Sequence, residues 1–105
     1  MVEKAKYGIT ALRYAGPQMV EAMMGLIDNV HERWELRPSP TRIVAVIDRM
    51  MEGDTVISMF PDAQGRLTPG PEVKVDLLTE GMEILVLDDD DEEAAGLSLN
   101  DLPRF

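Results

Sequence analysis

The chain has 105 residues, enough for one compact domain and too few for two. Hydrophobic residues make up 45% of it and the formal charge is −10, so a core can form, while a nucleic-acid surface, which needs clustered Lys and Arg, is excluded. It has no cysteine, which removes disulfides, thiolate zinc sites and thiol nucleophiles together.

From the N-terminus, Met1 to Lys6 has no apolar run behind it of the kind a secretory leader carries. Tyr7 to Tyr14 is rich in strand-forming residues and predicts a first strand, with Ala15-Gly16-Pro17-Gln18 as the turn after it. Met19 to Asp28 reads two ways. As a helix it puts Met19, Val20, Met23, Met24 and Ile27 on one face; as a strand it puts Val20, Ala22, Met24 and Leu26 on one face and pairs back on the first strand. Periodicity slightly favours the helix. Its apolar part is about half the length a membrane span needs. Asn29 to Pro38 reads as a loop or short extended segment from which Trp34 and Leu36 reach the core.

Ser39 to Phe60 gives the clearest local pattern. Ser39 is placed as an N-cap, Pro40 suits the first helical position, and Gly53 stands where a left-handed stop is wanted. Ile43, Val44, Ile47, Met50 and Met51 then form the inner face of a helix over about 39–52, followed by a strand over Thr55–Phe60. Asp62-Ala-Gln-Gly65 is a tight turn, and Pro69-Gly70-Pro71 reads as a second break. Glu72 to Leu77 alternates, with Val73, Val75 and Leu77 inward, and Thr79-Glu80-Gly81 supplies a hairpin from which Met82 to Leu87 returns. Asp88 to Glu93 is six consecutive acids, a solvated run, and Leu97, Leu99, Leu102 and Phe105 after it suggest a tail that docks back or stays free.

Taken together, Tyr7-x-Ile-Thr-Ala-x-Arg-Tyr14, the helix ending in Glu52-Gly53-Asp54, Asp62-x-x-Gly65, Gly70-x-Glu72-Val73-x-Val75 and Leu102-Pro103-x-Phe105 resemble, in order and spacing, a small bacterial family catalogued as domain of unknown function three-eight-nine-two. The resemblance implies a stand-alone domain with no assigned activity, cofactor or catalytic residue. It also implies an extended strand at Met19–Ile27, and that is the expectation adopted. At its C-terminal end the chain departs from the family's pattern, with Leu87 running into Asp88–Glu93.

The expected architecture is therefore an α+β domain over 1–87, an antiparallel sheet of four to five strands with one helix (about 39–52) on one face, and an acidic C-terminal segment over 88–105. Chemistry is sparse. His31, the one histidine, is next to Glu32 and near Glu35 and could work as an acid–base pair, although a lone histidine in a charged loop is ordinarily a surface residue. Asp88, Asp89, Asp90, Asp91, Glu92 and Glu93 lack calcium-loop spacing and suit a basic protein partner better than an ion. Asp48, Glu52 and Asp54 read as a solvated helix end. No phosphate-cradling glycine spacing and no GxSxG elbow occurs. Seven of the eight methionines lie in predicted elements, where they either fill the core or form an adaptable binding surface. The reading is a cytoplasmic, non-enzymatic protein-interaction or accessory module with no cofactor and no bound metal. Its partner is a protein or a second copy, with no nucleic acid and no membrane, and its contact residues are His31, Trp34 and the acidic run. The alternative is a small enzyme or ligand-binding domain built on His31 and nearby carboxylates.

Overall fold

A computed structural model describes residues 4–28, 30, 31, 33–77, 81, 83–87 and 98–105. In chain order the elements are β1 (Lys6–Ala15), β2 (Gln18–Asp28), β3 (Arg33–Arg42), α1 (Ile43–Met51), β4 (Thr55–Pro61), β5 (Leu67–Leu77), β6 (Glu83–Leu87) and a 3₁₀ turn (Leu99–Asp101). The fold is α+β, but the sheet has six strands in the order β3-β2-β1-β4-β5-β6, and β1 and β4 at its centre run parallel. The expectation of four to five antiparallel strands is corrected on both counts. A parallel neighbour requires a crossover, and α1 supplies it, carrying the chain from β3 at the sheet edge to β4 beside β1.

β1 and β2 form a hairpin closed by the Ala15–Gln18 pair, with Gly16 at φ 60, in the left-handed region glycine tolerates. The segment that periodicity left open is thus a strand throughout. A register shift between Ile9 and Ala11 marks a β-bulge, which explains why Ile9 and Leu12, an odd number of residues apart, both face the core opposite Met24 and Ala22.

β3 overturns two expectations. Asn29–Pro38 is largely not a loop, and Ser39 and Pro40 do not start the helix: ten residues run as an edge strand, with Ser39 opposite Met24 and Pro40 opposite Met23. Proline has no N–H to give a ladder, and an edge strand is where that loss is harmless, so Pro38 and Pro40 fit this edge and blunt it against further pairing. The same Ser-Pro pair that suits a helix start suits a sheet border equally well.

The helix accordingly begins at Ile43, with Arg42 at the cap position making no side-chain cap bond. It ends where expected, at Gly53 with φ 100. Its inner face is Ile43, Val46, Ile47 and Met50, an i, i+3, i+4, i+7 set centred on the fully buried Val46. Val44 and Met51, expected inside, lie on the outer face, and Met51 is 75% exposed. Ile43, Ile47 and Met50 are common to both sets, and the way α1 lies on the sheet turns Val46 inward instead of Val44 and Met51.

β4 and β5 are joined by the Asp62 turn, where the Asp62 carboxylate accepts N–H bonds from Gln64 and Arg66 and Gly65 has φ 82. Pro69-Gly70-Pro71 is not a break but part of β5. The strand irregularity opposite Ile57 and Met59 absorbs it, Gly70 packs under Phe60, and the buried Ser58 hydroxyl donates to the Pro71 carbonyl at 2.7 Å. Val73 is buried and Val75 packs on the core, but Leu77, expected inward, is 65% exposed because it lies at the end of the strand opposite Glu83. Of the expected 79–81 hairpin only Gly81 is described, at φ 85.

The last eight residues close the domain. Leu99 and Leu102 belong to the core cluster. β4 accompanies β1 only from Lys6 to Ile9; farther along the same edge, Leu12 donates its N–H to the Pro103 carbonyl and accepts from the Phe105 N–H, so that Arg104 pairs with it in parallel. Ser98 caps the 3₁₀ turn in a capping box with Asp101, Tyr14 donates its hydroxyl to Asn100 at 2.6 Å, and the guanidinium of Arg104 stacks on the Tyr14 ring.

Candidate functional site

His31 sits in the β2–β3 connection. The Asp28 carboxylate accepts N–H bonds from Val30 and His31, folding the turn, and contacts the His31 ring nitrogen Nδ1 at 2.8 Å. The histidine bond, then the Val30 N–H, hold the Asp28 carboxyl below its ordinary pKa. The imidazole is 61% exposed and lines neither of the two concavities described below. Glu32, the adjacent acid, lies outside the described residues; among those described, a ring nitrogen on one carboxylate, with the imidazole in open solvent, anchors a turn. The acidic run Asp88, Asp89, Asp90, Asp91, Glu92 and Glu93 lies outside the described residues. Among the described residues no group of three His, Asp or Glu could hold a metal ion. Of the helix-end acids, Asp54 accepts the Ala5 N–H and Glu52 pairs with Arg49, so they do not converge.

Trp34 does something the sequence reading missed. It lies across the sheet rather than reaching the helix-side core, because β1 and β2 place two glycines opposite each other, Gly8 and Gly25, in the space its indole needs. A Cβ on Gly8 would stand 2.9 Å from the Trp34 ring and 2.9 Å from Met59. Register extends this surface: Ile27 opposite Trp34, Ile57 beside Gly8, Met59 opposite Pro69, and Met23 opposite Ala11 share the side of the sheet away from α1. Two ion pairs border it, Arg13–Glu21 at 3.3 Å and Glu72–Lys74 at 3.2 Å. Among the described residues no helix covers this face, and Trp34, Ile27, Met23 and Met59 keep part of their surface in water. The methionines thus divide: Met24 is core, Met19 and Met50 pack against it, and Met23 and Met59 belong to this second face.

Two concavities among the described residues lie on the helix side. A wide cleft of about 1330 Å³ opens between the start of β2, α1, β6 and the C-terminal turn. Its walls include Leu87 and Ser98. A smaller notch of about 250 Å³ lies between β3 and α1, lined by Tyr7, Met24, Leu26, Leu36, Ser39, Thr41 and Ala45 together with Arg37 and Arg49. No spacing in the sequence announces it. The one signal was the in-strand Gly25, whose partner on β3 could not be known.

No protein-family model matches the chain, and comparison with curated proteins and with solved structures gave no match.

Proposed function

We propose that the protein is a small non-enzymatic binding module that meets a protein partner on the second sheet face, around Trp34, Ile27 and Met59. The observation that carries this reading is the half-covered apolar centre of that face on an α+β domain whose other face is filled by α1. A solvated antiparallel face ordinarily alternates to polar residues; this one places an aromatic and two methionines there, and these side chains adapt readily to a partner surface. The His31-based enzyme reading loses support from the exposure of the ring. Assignment to family three-eight-nine-two and a cytoplasmic location stand alongside as proposals, supported by the motif order and by the absence of cysteine.

The test is affinity capture from a native cell extract with the parent protein and with Met59→Lys, at low and high salt. Proteins captured by the parent at both salt concentrations and lost with a folded Met59→Lys variant support the reading. Identical capture profiles refute it, and partners lost only at high salt shift the contact to the charged surface.

A further inference from the structure

We propose that the notch between β3 and α1 is a binding site for a small organic anion, a carboxylate on an apolar body, held by Arg37 and Arg49. The backbone prepares it. Met24 faces Ser39 and Leu26 faces Leu36, so two residues of β3, Arg37 and Pro38, stand opposite the single Gly25 of β2. This is a β-bulge, a feature that re-aims a side chain. It is possible only over glycine: a Cβ on Gly25 would stand 2.7 Å from the Leu36 carbonyl oxygen and 2.8 Å from the Pro38 nitrogen, both backbone atoms with nowhere to go. The result is Arg37 in the same notch as Arg49, which reaches it from α1.

Charge gives the second line of argument. The chain carries twenty acidic residues against ten basic ones, yet two arginines and no acidic residue line this notch. Arg49 contacts Glu52 through one terminal nitrogen at 3.7 Å, a long and solvent-screened pair that leaves guanidinium donors for a ligand, and no salt bridge among the described residues engages Arg37. Guanidinium forks match a carboxylate in two-point geometry. The floor is apolar, from Met24, Leu26 and Ala45, and Tyr7, Ser39 and Thr41, each bearing a hydroxyl, complete the lining. Apolar surface with a few convergent polar groups is the ordinary composition of a small-molecule site, and about 250 Å³ limits the occupant to something the size of a single substituted ring. The wide cleft has the opposite balance, with Asp48, Asp76 and Glu83 in its walls besides Arg42 and the Arg13-paired Glu21.

Benzoate is the probe, benzamide its uncharged isostere and inorganic phosphate the anion without an apolar body. Two-dimensional NMR on the full chain should show saturable benzoate shifts at the amides of Gly25, Leu36, Thr41 and Ala45, with at least tenfold weaker binding in Arg37→Gln and in Arg49→Gln and weaker binding of benzamide and phosphate. Both arginines are exposed, so the variants should keep the parent spectrum elsewhere, and Arg49→Lys separates a need for the fork from a need for charge by retaining only partial affinity. Shifts that do not saturate, equal binding of benzamide, or unchanged affinity in both glutamine variants would overturn the proposal. Met59→Lys, on the opposite face, should bind benzoate as the parent does, which keeps this result independent of the partner-binding reading.

Discussion

Replacing Leu102 by Ala tests whether the C-terminal turn is part of the cooperative fold. Leu102 is 2% exposed and sits in the core cluster with Leu12 and Leu99, C-terminal to the run of six acids in the sequence. Burying a leucine side chain stabilises by roughly 1.5–3 kcal/mol, and removing it adds the cost of the cavity left behind, which brings Leu→Ala in a core to about 3 kcal/mol. A small domain has only ~5–15 kcal/mol in total, so the change is a large fraction of it and should lower Tm by roughly 12 °C or more. Urea unfolding followed by far-ultraviolet circular dichroism measures it, with Leu36→Ala as the control, since Leu36 is 62% exposed and should stay within about 0.5 kcal/mol of the parent. A Leu102→Ala midpoint indistinguishable from that of Leu36→Ala would show that the turn unfolds on its own and that its burial contributes nothing to the rest.

The two paired glycines should respond differently to alanine. At Gly8 the new methyl meets flexible ends of Met59 and Trp34, which can shift, whereas at Gly25 it meets backbone, so Gly25→Ala should cost about 2–3 kcal/mol in urea unfolding and more than Gly8→Ala; the reverse order would refute the bulge geometry. His31→Ala should raise the Asp28 pKa toward the ordinary carboxylate value, as read by carboxyl-carbon NMR, and an unmoved titration would show that the turn N–H groups alone set it. Because the folded pKa of Asp28 is depressed, its contribution to stability is present above the ordinary carboxylate pKa and is lost as pH falls through the lowered one, so the parent should lose the protection of the Val30 amide in that acid window.

Local chemistry made much of the fold legible. The alternation of Glu72–Val75, the strand formers at Thr55–Phe60, the glycines at 16, 53 and 65, and the tight Asp62 turn each act through neighbours in sequence, and strand or turn appears at each of these places. What escaped was decided by partners far along the chain. Ser39 and Pro40 satisfy a helix start and an edge strand equally, and only the presence of β2 beside them selects the strand. The parallel β1–β4 pairing leaves no periodic trace, since a strand buried in the middle of a sheet reads alike in either direction. Of the expected contact residues, Trp34 does lie on a face with exposed apolar surface, whereas the packing of its ring over Gly8 and Gly25 required knowing that two glycines at opposite ends of the hairpin sequence would meet. Arg37 and Arg49 share a notch because of a bulge, and no one-dimensional pattern encodes a bulge.

The edge of β1 beyond Ile9 has its own consequence during synthesis. Leu12 waits there for Pro103 and Phe105, and Arg13 and Phe105 are 92 residues apart in the chain. At about 5–20 residues per second, a ribosome needs on the order of 5–18 s to make what lies between them. For that interval the middle of the nascent sheet offers a bare strand edge and the unfilled positions of Leu99 and Leu102 to any neighbouring chain. Cells making this protein at high rate should therefore accumulate aggregates chiefly from polysomes, and a chain stopped before Ser98 should aggregate most.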